Sequence, residues 1–189
     1  WREKSSLRKL ALANRQKDYV DIAGNQERLE LHHGINEILC EAQADWPHYD
    51  YGEGYFYQGL KAAGIRGFRD TEGRVEIMGL KDRVAGRRVL DIGCNSGFVA
   101  LNIADVAADV VGMDINPFHV RIGEVVAAYL RVENVHLFTS EFENWDSDGR
   151  YEVILSFANH STYDQQTRQN VESYFKKCDA LLEEGGLLV

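Results

Sequence analysis

The chain is poor in cysteine, short of basic residues and free of any long apolar run. Its three cysteines, Cys40, Cys94 and Cys178, are odd in number and widely scattered, so they supply neither a disulfide framework nor the paired spacing of a zinc site. A reducing, cytoplasmic setting fits that usage, and no bound metal is expected. The 21 basic residues face 30 acidic ones, a formal net charge of -9, which weighs against a broad non-specific nucleic-acid surface while leaving room for a local basic patch. No stretch reaches the roughly 18 apolar residues of a membrane span and no signal peptide opens the chain, so no membrane partner is expected. Repeats, low-complexity tracts and long linkers are also missing. The chain opens on Trp1 and stops as an apolar run begins at Gly185-Gly186-Leu187-Leu188-Val189, which reads as part of a longer protein. Nothing in the pattern addresses oligomeric state.

What is present is enough apolar content for one well-cored domain with an appendage: 44% of 189 residues. From Gly86 onward strand and helix patterns alternate, the signature of a mainly parallel sheet covered on both faces. Strands are expected at Arg88–Ile92, Asp109–Asp114, Val135–Thr139, Tyr151–Ser156 and Gly186–Val189. Helices are expected at Gly97–Val106 and at Pro117–Leu130, the latter opened by Asn116 as N-cap with proline at the first helical position. A third spans Asp164 to Glu184, where apolar residues recur at three- and four-residue steps and Gly185 is placed as the stop. Ser140 to Arg150 has room for only a turn of helix, around Asn144–Ser147. Before Gly86, Ser5 to Ala44 reads as helix broken at Gly24-Asn25, with Leu7, Leu10, Ala11 and Asn14 on one stripe and Ile35, Ile38 and Leu39 on another. Trp46 to Tyr57 is too rich in aromatics and glycine for either period and reads as a structured loop. The expected division is a helical extension and aromatic cap over residues 1–85 and an α/β core over 86–189.

The most informative stretch is Val89-Leu90-Asp91-Ile92-Gly93-Cys94-Asn95-Ser96-Gly97-Phe98. A buried strand that runs through a glycine turn into a helix places backbone N–H groups and a helix N-terminus beside a ligand at the strand's carboxyl end. About twenty residues on, Val110-Val111-Gly112-Met113-Asp114 is a second apolar strand ending in a carboxylate, where a doubly wound fold grips ribose hydroxyls. Nicotinamide dehydrogenases use Gly-x-Gly-x-x-Gly at such a turn; here an aspartate precedes and the outer glycines, Gly93 and Gly97, stand four apart.

Asp91-Ile92-Gly93-Cys94-Asn95-Ser96-Gly97 resembles the acidic-x-Gly-x-Gly-x-Gly signature of class I S-adenosylmethionine-dependent methyltransferases, and Asp114 resembles their ribose-binding acid. The resemblance runs from Gly86 to Val189 and implies a Rossmann-like seven-stranded sheet of which this chain carries the first five strands. It implies that Asp91, Gly93, Cys94, Asn95 and Gly97 surround the methionine end of S-adenosylmethionine. Asp114 would then take the ribose hydroxyls, and Ile115 would lie against adenine. Val135-His136-Leu137-Phe138-Thr139-Ser140-Glu141-Phe142 looks like the family's third motif, so Glu141 would accept from the adenine amino group with Phe142 beside it. Ser156 and Phe157 would face the transferred methyl. The middle glycine of the signature is Asn95, the non-glycine residue best suited to a left-handed backbone. The Gly-Cys-Asn variant, with the lead-in Gly67 to Arg74, also looks like a subgroup that includes wobble-uridine and RNA-cap methyltransferases.

Methyl transfer is a displacement on an activated sulfonium, so the protein mainly positions the acceptor and, where needed, removes its proton. His160, after the fourth strand, is the candidate base, with Asp164 or Asn159 to hold its tautomer; the alternative is that it only orients substrate or packs. Tyr51, Tyr55 and Tyr57 either line the acceptor pocket, with Asn159, or seal the core. Arg66, Arg69 and Arg74 either hold an acidic substrate or pair with Asp70, Glu72 and Glu76. Glu141 sits in an acidic patch and is equally readable as a solvated loop. His32-His33 reads as a packing or surface pair. The expectation is a methyltransferase with a small-metabolite acceptor. RNA is the alternative acceptor, and a catalytically silent cofactor-binding scaffold is the alternative of a different class.

Overall fold

The computed structural model describes residues 2–48, 50–147, 149–157 and 170–189. Five parallel strands form the sheet: β1 (Arg88–Ile92), β2 (Asp109–Asp114), β3 (Val135–Thr139), β4 (Tyr151–Ser156) and β5 (Leu182–Leu188), in the order β3-β2-β1-β4-β5. The first four lie where the apolar runs place them. The chain leaves β1 for one side of the sheet and returns to the other through β4, so the crevice at the carboxyl ends of β1 and β4 is the topological switch point where such folds bind ligands. There Ile92 is in register with Ser156, and Asp91 lies between Gly112 and Leu155.

Strand alternation sends neighbouring side chains to opposite faces. Val89, Val110, Val135, Leu137, Val153 and Leu155 join one apolar cluster, while Leu90, Ile92, Met113 and Ile154 join a second. The helices divide accordingly: α5 (Phe98–Ile103) and α6 (Pro117–Leu130) cover the first face, and α7 (Val171–Leu181) covers the second through Tyr174, Cys178 and Leu181. In α6, Asn116 caps the amides of Phe118 and His119, with proline at the helix start.

The N-terminal region forms α1 (Arg2–Ile22) and α2 (Gln26–Asp45), broken at Gly24-Asn25, where Asn25 caps α2 through the amide of Arg28. Leu31, Ile35, Ile38 and Leu39 of α2 belong to the same cluster as Phe98 and Val126, so the helical extension and the sheet share one core. The stripe expected on α1 is only partly used: Ala11 is buried, but Leu10 is 47% exposed. His32 is buried with Nε2 2.9 Å from the Ala63 carbonyl, a packing role.

Several boundaries differ from expectation. The last helix ends at Leu181 rather than Glu184, because Leu182 turns extended (φ −83°, ψ 143°) and pairs with Tyr151; adjacent apolar residues had made Leu182 look helical. Gly185 (φ 75°) consequently lies inside β5, within the register shift between Leu182 and Leu187, and is not a helix stop. The expected start of that helix, Asp164, lies outside the described residues. No helix forms at Asn144–Ser147, where the Glu141 carbonyl instead closes a turn onto the amides of Asn144 and Trp145. Two short helices unforeseen in the pattern, α3 (Thr71–Ile77) and α4 (Leu80–Val84), lead into β1. The side chain of Asp70 caps α3 through the Gly73 amide at 3.1 Å, a signal legible as Asp-Thr-Glu had helix been sought there. Among the described residues no helix is long and apolar enough to cross a membrane.

Candidate functional site

Between β1 and α5 the backbone is left-handed at alternate residues: Gly93 (φ 66°), Asn95 (φ 55°) and Gly97 (φ 68°). Asn95 therefore supplies the conformation expected of it, at the small steric cost asparagine tolerates best among non-glycine residues. The turn is pinned from outside, since the Cys94 amide donates to the Met113 carbonyl and the Asn95 amide donates to Asp114 Oδ2, both within 2.9 Å. Asp114 Oδ1 accepts from the Asn116 amide at 2.9 Å. One carboxylate thus fixes both the glycine turn and the start of α6.

Asp91 is the electrostatic anomaly. The residue is 2% exposed, and Oδ2 is buried without a hydrogen-bond partner among the described residues. Burial, with Asp114 second, pushes its carboxyl up to about 7. A buried acceptor left unsatisfied is costly, so a cationic donor placed at this spot would satisfy it. Cys94 beside it is buried, and its thiol is pushed up by burial and by both aspartates, which leaves it an inert packing group.

Close packing behind the turn comes from one knob. Leu137 of β3 sits where a Cβ on Gly97 or Gly112 would lie 2.7 Å or 2.6 Å from it, and a Cβ on Gly123 of α6 would also meet it. Three glycines from three elements form the socket, a pattern that sequence reading missed because it treated only Gly97 as informative. The helix N-terminus is also not open as expected: the first amide of α5, Phe98, donates to Gln58 Oε1 at 3.0 Å. A second link joins Ser96 Oγ to His119 Nδ1 at 3.2 Å, with His119 Nε2 3.8 Å from Asp50 Oδ1. Asp50 in turn accepts from the amides of Gly52 and Gly54. Gln58, Ser96, His119 and Asp50 thus tie the aromatic loop to the turn; none was singled out from the sequence, and their types alone carry no signal at that separation.

The remaining expected positions divide. Ile115 is half-buried next to Asp114. Glu141 is exposed two residues beyond β3, and its carboxylate holds the Asn144 side chain. Phe142 is 8% exposed in the second cluster, with its ring 5.1 Å from that of Tyr174; the structure commits it to the core rather than to an open wall. Ser156 bonds the Tyr174 hydroxyl at 2.7 Å, and half-buried Phe157 follows it at the sheet edge. Tyr51 and Tyr57 are half-buried ring neighbours, 5.9 Å apart. Tyr55 is different. It is 1% exposed, and its hydroxyl donates to the buried Asp18 of α1, so it seals the core and is withdrawn from the acceptor role expected of it. Burial raises both pKa values, which keeps the Tyr55 hydroxyl protonated. Asn159, His160 and Asp164 lie outside the described residues. Among the described residues no group of three or more acidic, histidine or cysteine side chains is arranged for a metal.

A family model described as a methyltransferase domain matches residues 89–186. A ubiquinone biosynthesis O-methyltransferase of Acinetobacter baumannii is 29% identical over 107 residues, 54% of this chain and 42% of that protein. A magnesium-protoporphyrin O-methyltransferase of Rhodobacter capsulatus is 42% identical over 53 residues, 28% of this chain and 24% of that protein. The chain thus spans well under half the length of these curated relatives. Among solved structures, a SAM-dependent methyltransferase from Geobacter sulfurreducens in complex with S-adenosyl-L-homocysteine superposes with a TM-score of 0.51 at 21% identity, over 61% of this chain and 46% of that one. Coclaurine N-methyltransferase, bound to N-methylheliamine and SAH, gives 0.52 at 20% identity, over 62% and 34%. At these identities the structures speak for the fold.

Proposed function

The chain belongs to the methyltransferase domain family, and we propose that it binds S-adenosylmethionine at the Gly93–Gly97 turn and methylates an oxygen of a small-molecule acceptor. The observation that carries this reading is Asp91 Oδ2, a buried acceptor with no partner, set beside a left-handed turn that is pinned by the acid ending the next strand.

S-adenosylmethionine, when bound, supplies a methyl group activated by its sulfonium charge. Asp91 would accept from the α-ammonium of the methionine part, which satisfies its orphaned oxygen and draws the carboxyl back toward its ionised form. The turn from Gly93 to Gly97, left-handed at Gly93, Asn95 and Gly97, would present its backbone to that part. Asp114, held in place by two amides, would accept from the ribose hydroxyls, with Ile115 beside the base and Glu141 offering an acceptor to the adenine amino group. Ser156 and Phe157 stand at the carboxyl end of β4, one strand from Gly93, and so bound the reacting centre. His160 is the proposed proton acceptor, with Asp164 or Asn159 orienting it, on the strength of its place after β4. Both O-methyltransferase relatives support an oxygen acceptor, and the acidic net charge supports a small molecule over a polynucleotide. The residue usage of the three free thiols accords with a reducing compartment.

The test is transfer of labelled methyl from S-adenosylmethionine into pools of hydroxylated metabolites. Incorporation that depends on Asp114 supports the reading. Cofactor binding without incorporation into any pool, including RNA, contradicts it in favour of a silent scaffold.

A further inference from the structure

Of the arginines between the aromatic loop and β1, the structure separates the roles of Arg66, Arg69 and Arg74. Arg66 is absorbed by α1: its side chain pairs with Asp21 and lies 3.5 Å from Asp18. Arg69 and Arg74 are exposed, and among the described residues neither has an ion-pair or side-chain hydrogen-bond partner. Of the three nearby acids, Asp70 and Glu72 are engaged elsewhere. Asp70 caps α3 and lies 3.7 Å from Lys61 Nζ, and Glu72 accepts from the Lys61 amide at 2.6 Å.

Both guanidinium groups instead lie over aromatic rings, Arg69 at 5.6 Å from the centroid of Tyr57 and Arg74 at 5.7 Å from that of Phe157. Such contacts orient a guanidinium without satisfying its five N–H donors. The two rings flank the glycine turn. Tyr57 precedes Gln58, which bonds the first amide after Gly97; Phe157 follows Ser156, which is in register with Ile92 immediately before Gly93. Two oriented cations, without an ion-pair partner among the described residues, therefore stand at the sheet's carboxyl edge, in a protein whose overall charge is -9. The rings they stand over, Tyr57 and Phe157, are half-buried, as is Tyr51 beside Tyr57.

We propose that Arg69 and Arg74 form the acid-binding edge of the acceptor site, and that the acceptor is a planar aromatic molecule carrying an oxoanion, either carboxylate or phosphate. The proposal rests on the methyltransferase reading above, because that reading makes this edge the acceptor side. An arginine reads such an oxoanion through two parallel N–H···O bonds, and neighbouring aromatic side chains would receive the flat remainder of the molecule.

The experiment is calorimetry on protein saturated with S-adenosylhomocysteine, titrated with 3,4-dihydroxybenzoate against catechol and with phenyl phosphate against phenol. At least one acid should bind about tenfold or more tightly than its neutral match, the gain expected of a charge-assisted pair; which acid does so identifies the anion. Arg69→Gln and Arg74→Gln should each remove most of that preference, and Arg74→Lys should restore part of it, while melting temperature and S-adenosylhomocysteine affinity stay as in wild type. Acids that bind no better than their neutral matches overturn the proposal, as does a preference that survives both glutamine variants. An oligouridylate that binds in place of the small acids, and is lost in the same variants, overturns it in favour of RNA. If wild-type protein fails to bind S-adenosylhomocysteine at all, the methyltransferase reading falls and this proposal with it; intact binding confines any failure to the arginines.

Discussion

Asp91 is where local chemistry departs furthest from ordinary protein behaviour. A carboxyl whose folded pKa is raised from 3.8 to about 7 keeps, between those values, a proton that the unfolded chain releases. Its contribution therefore makes the ligand-free protein lose stability as pH rises through that window and leaves it level above about 7. Chemical denaturation of wild type and Asp91→Asn at pH 4, 5, 6 and 7 should show the difference shrinking or reversing in the variant's favour as pH rises. Binding of a cationic ligand requires the ionised form, so S-adenosylmethionine affinity should increase from pH 6 to 7.5 in wild type and stay flat in Asp91→Asn. A wild-type affinity independent of pH over that range would remove the assigned partner of the ammonium group. The sequence made Asp91 visible through its place in the glycine signature. It could not show the missing partner, because that depends on Gly112 and Leu155 flanking it from two other strands.

At the scale of elements, the fit of β3 against β2, α5 and α6 turns on Leu137. The socket glycines are not equivalent. The atoms nearest a methyl at Gly112 are side-chain atoms of Leu137 and Cys94, whereas one at Gly123 would also lie 2.7 Å from the Ser96 carbonyl oxygen, which belongs to the turn itself. Gly112→Ala and Gly123→Ala should each cost about 1–3 kcal/mol by overpacking. Leu137→Ala, although destabilising alone, should relieve about 1 kcal/mol or more of the Gly112→Ala penalty in a double-mutant cycle and much less of the Gly123→Ala penalty. Equal coupling at both positions would mean that the turn backbone yields. The first four strands and α6 were legible in outline because each is a continuous apolar run or an amphipathic stretch with its own cap. The end of α7 was not, because Leu181-Leu182 suits a helix face and a strand equally and only pairing with Tyr151 decides between them. The socket was illegible for the same reason: its glycines come together only after the sheet has formed.

For the whole molecule, the aromatic loop and the sheet behave as parts of one core. Tyr55 anchors the loop to α1, and Gln58 and the Asp50–His119–Ser96 chain anchor it to the turn. Gln58→Ala leaves the buried Phe98 amide without its acceptor, and the loss should lower stability by about 1–3 kcal/mol. It should also weaken S-adenosylmethionine binding severalfold, although Gln58 is assigned no contact with the cofactor; a stability loss with unchanged affinity would mean that the loop and turn are mechanically separate. The central claim is that Asp114 and the turn it pins form an S-adenosylmethionine site. Isothermal titration of wild type and Asp114→Ala with S-adenosylmethionine, beside melting curves for both, tests it most directly. The account predicts saturable binding by wild type and binding about ten- to a hundredfold weaker in a folded Asp114→Ala protein. Equal affinity in the two proteins, or no binding by wild type, would contradict it.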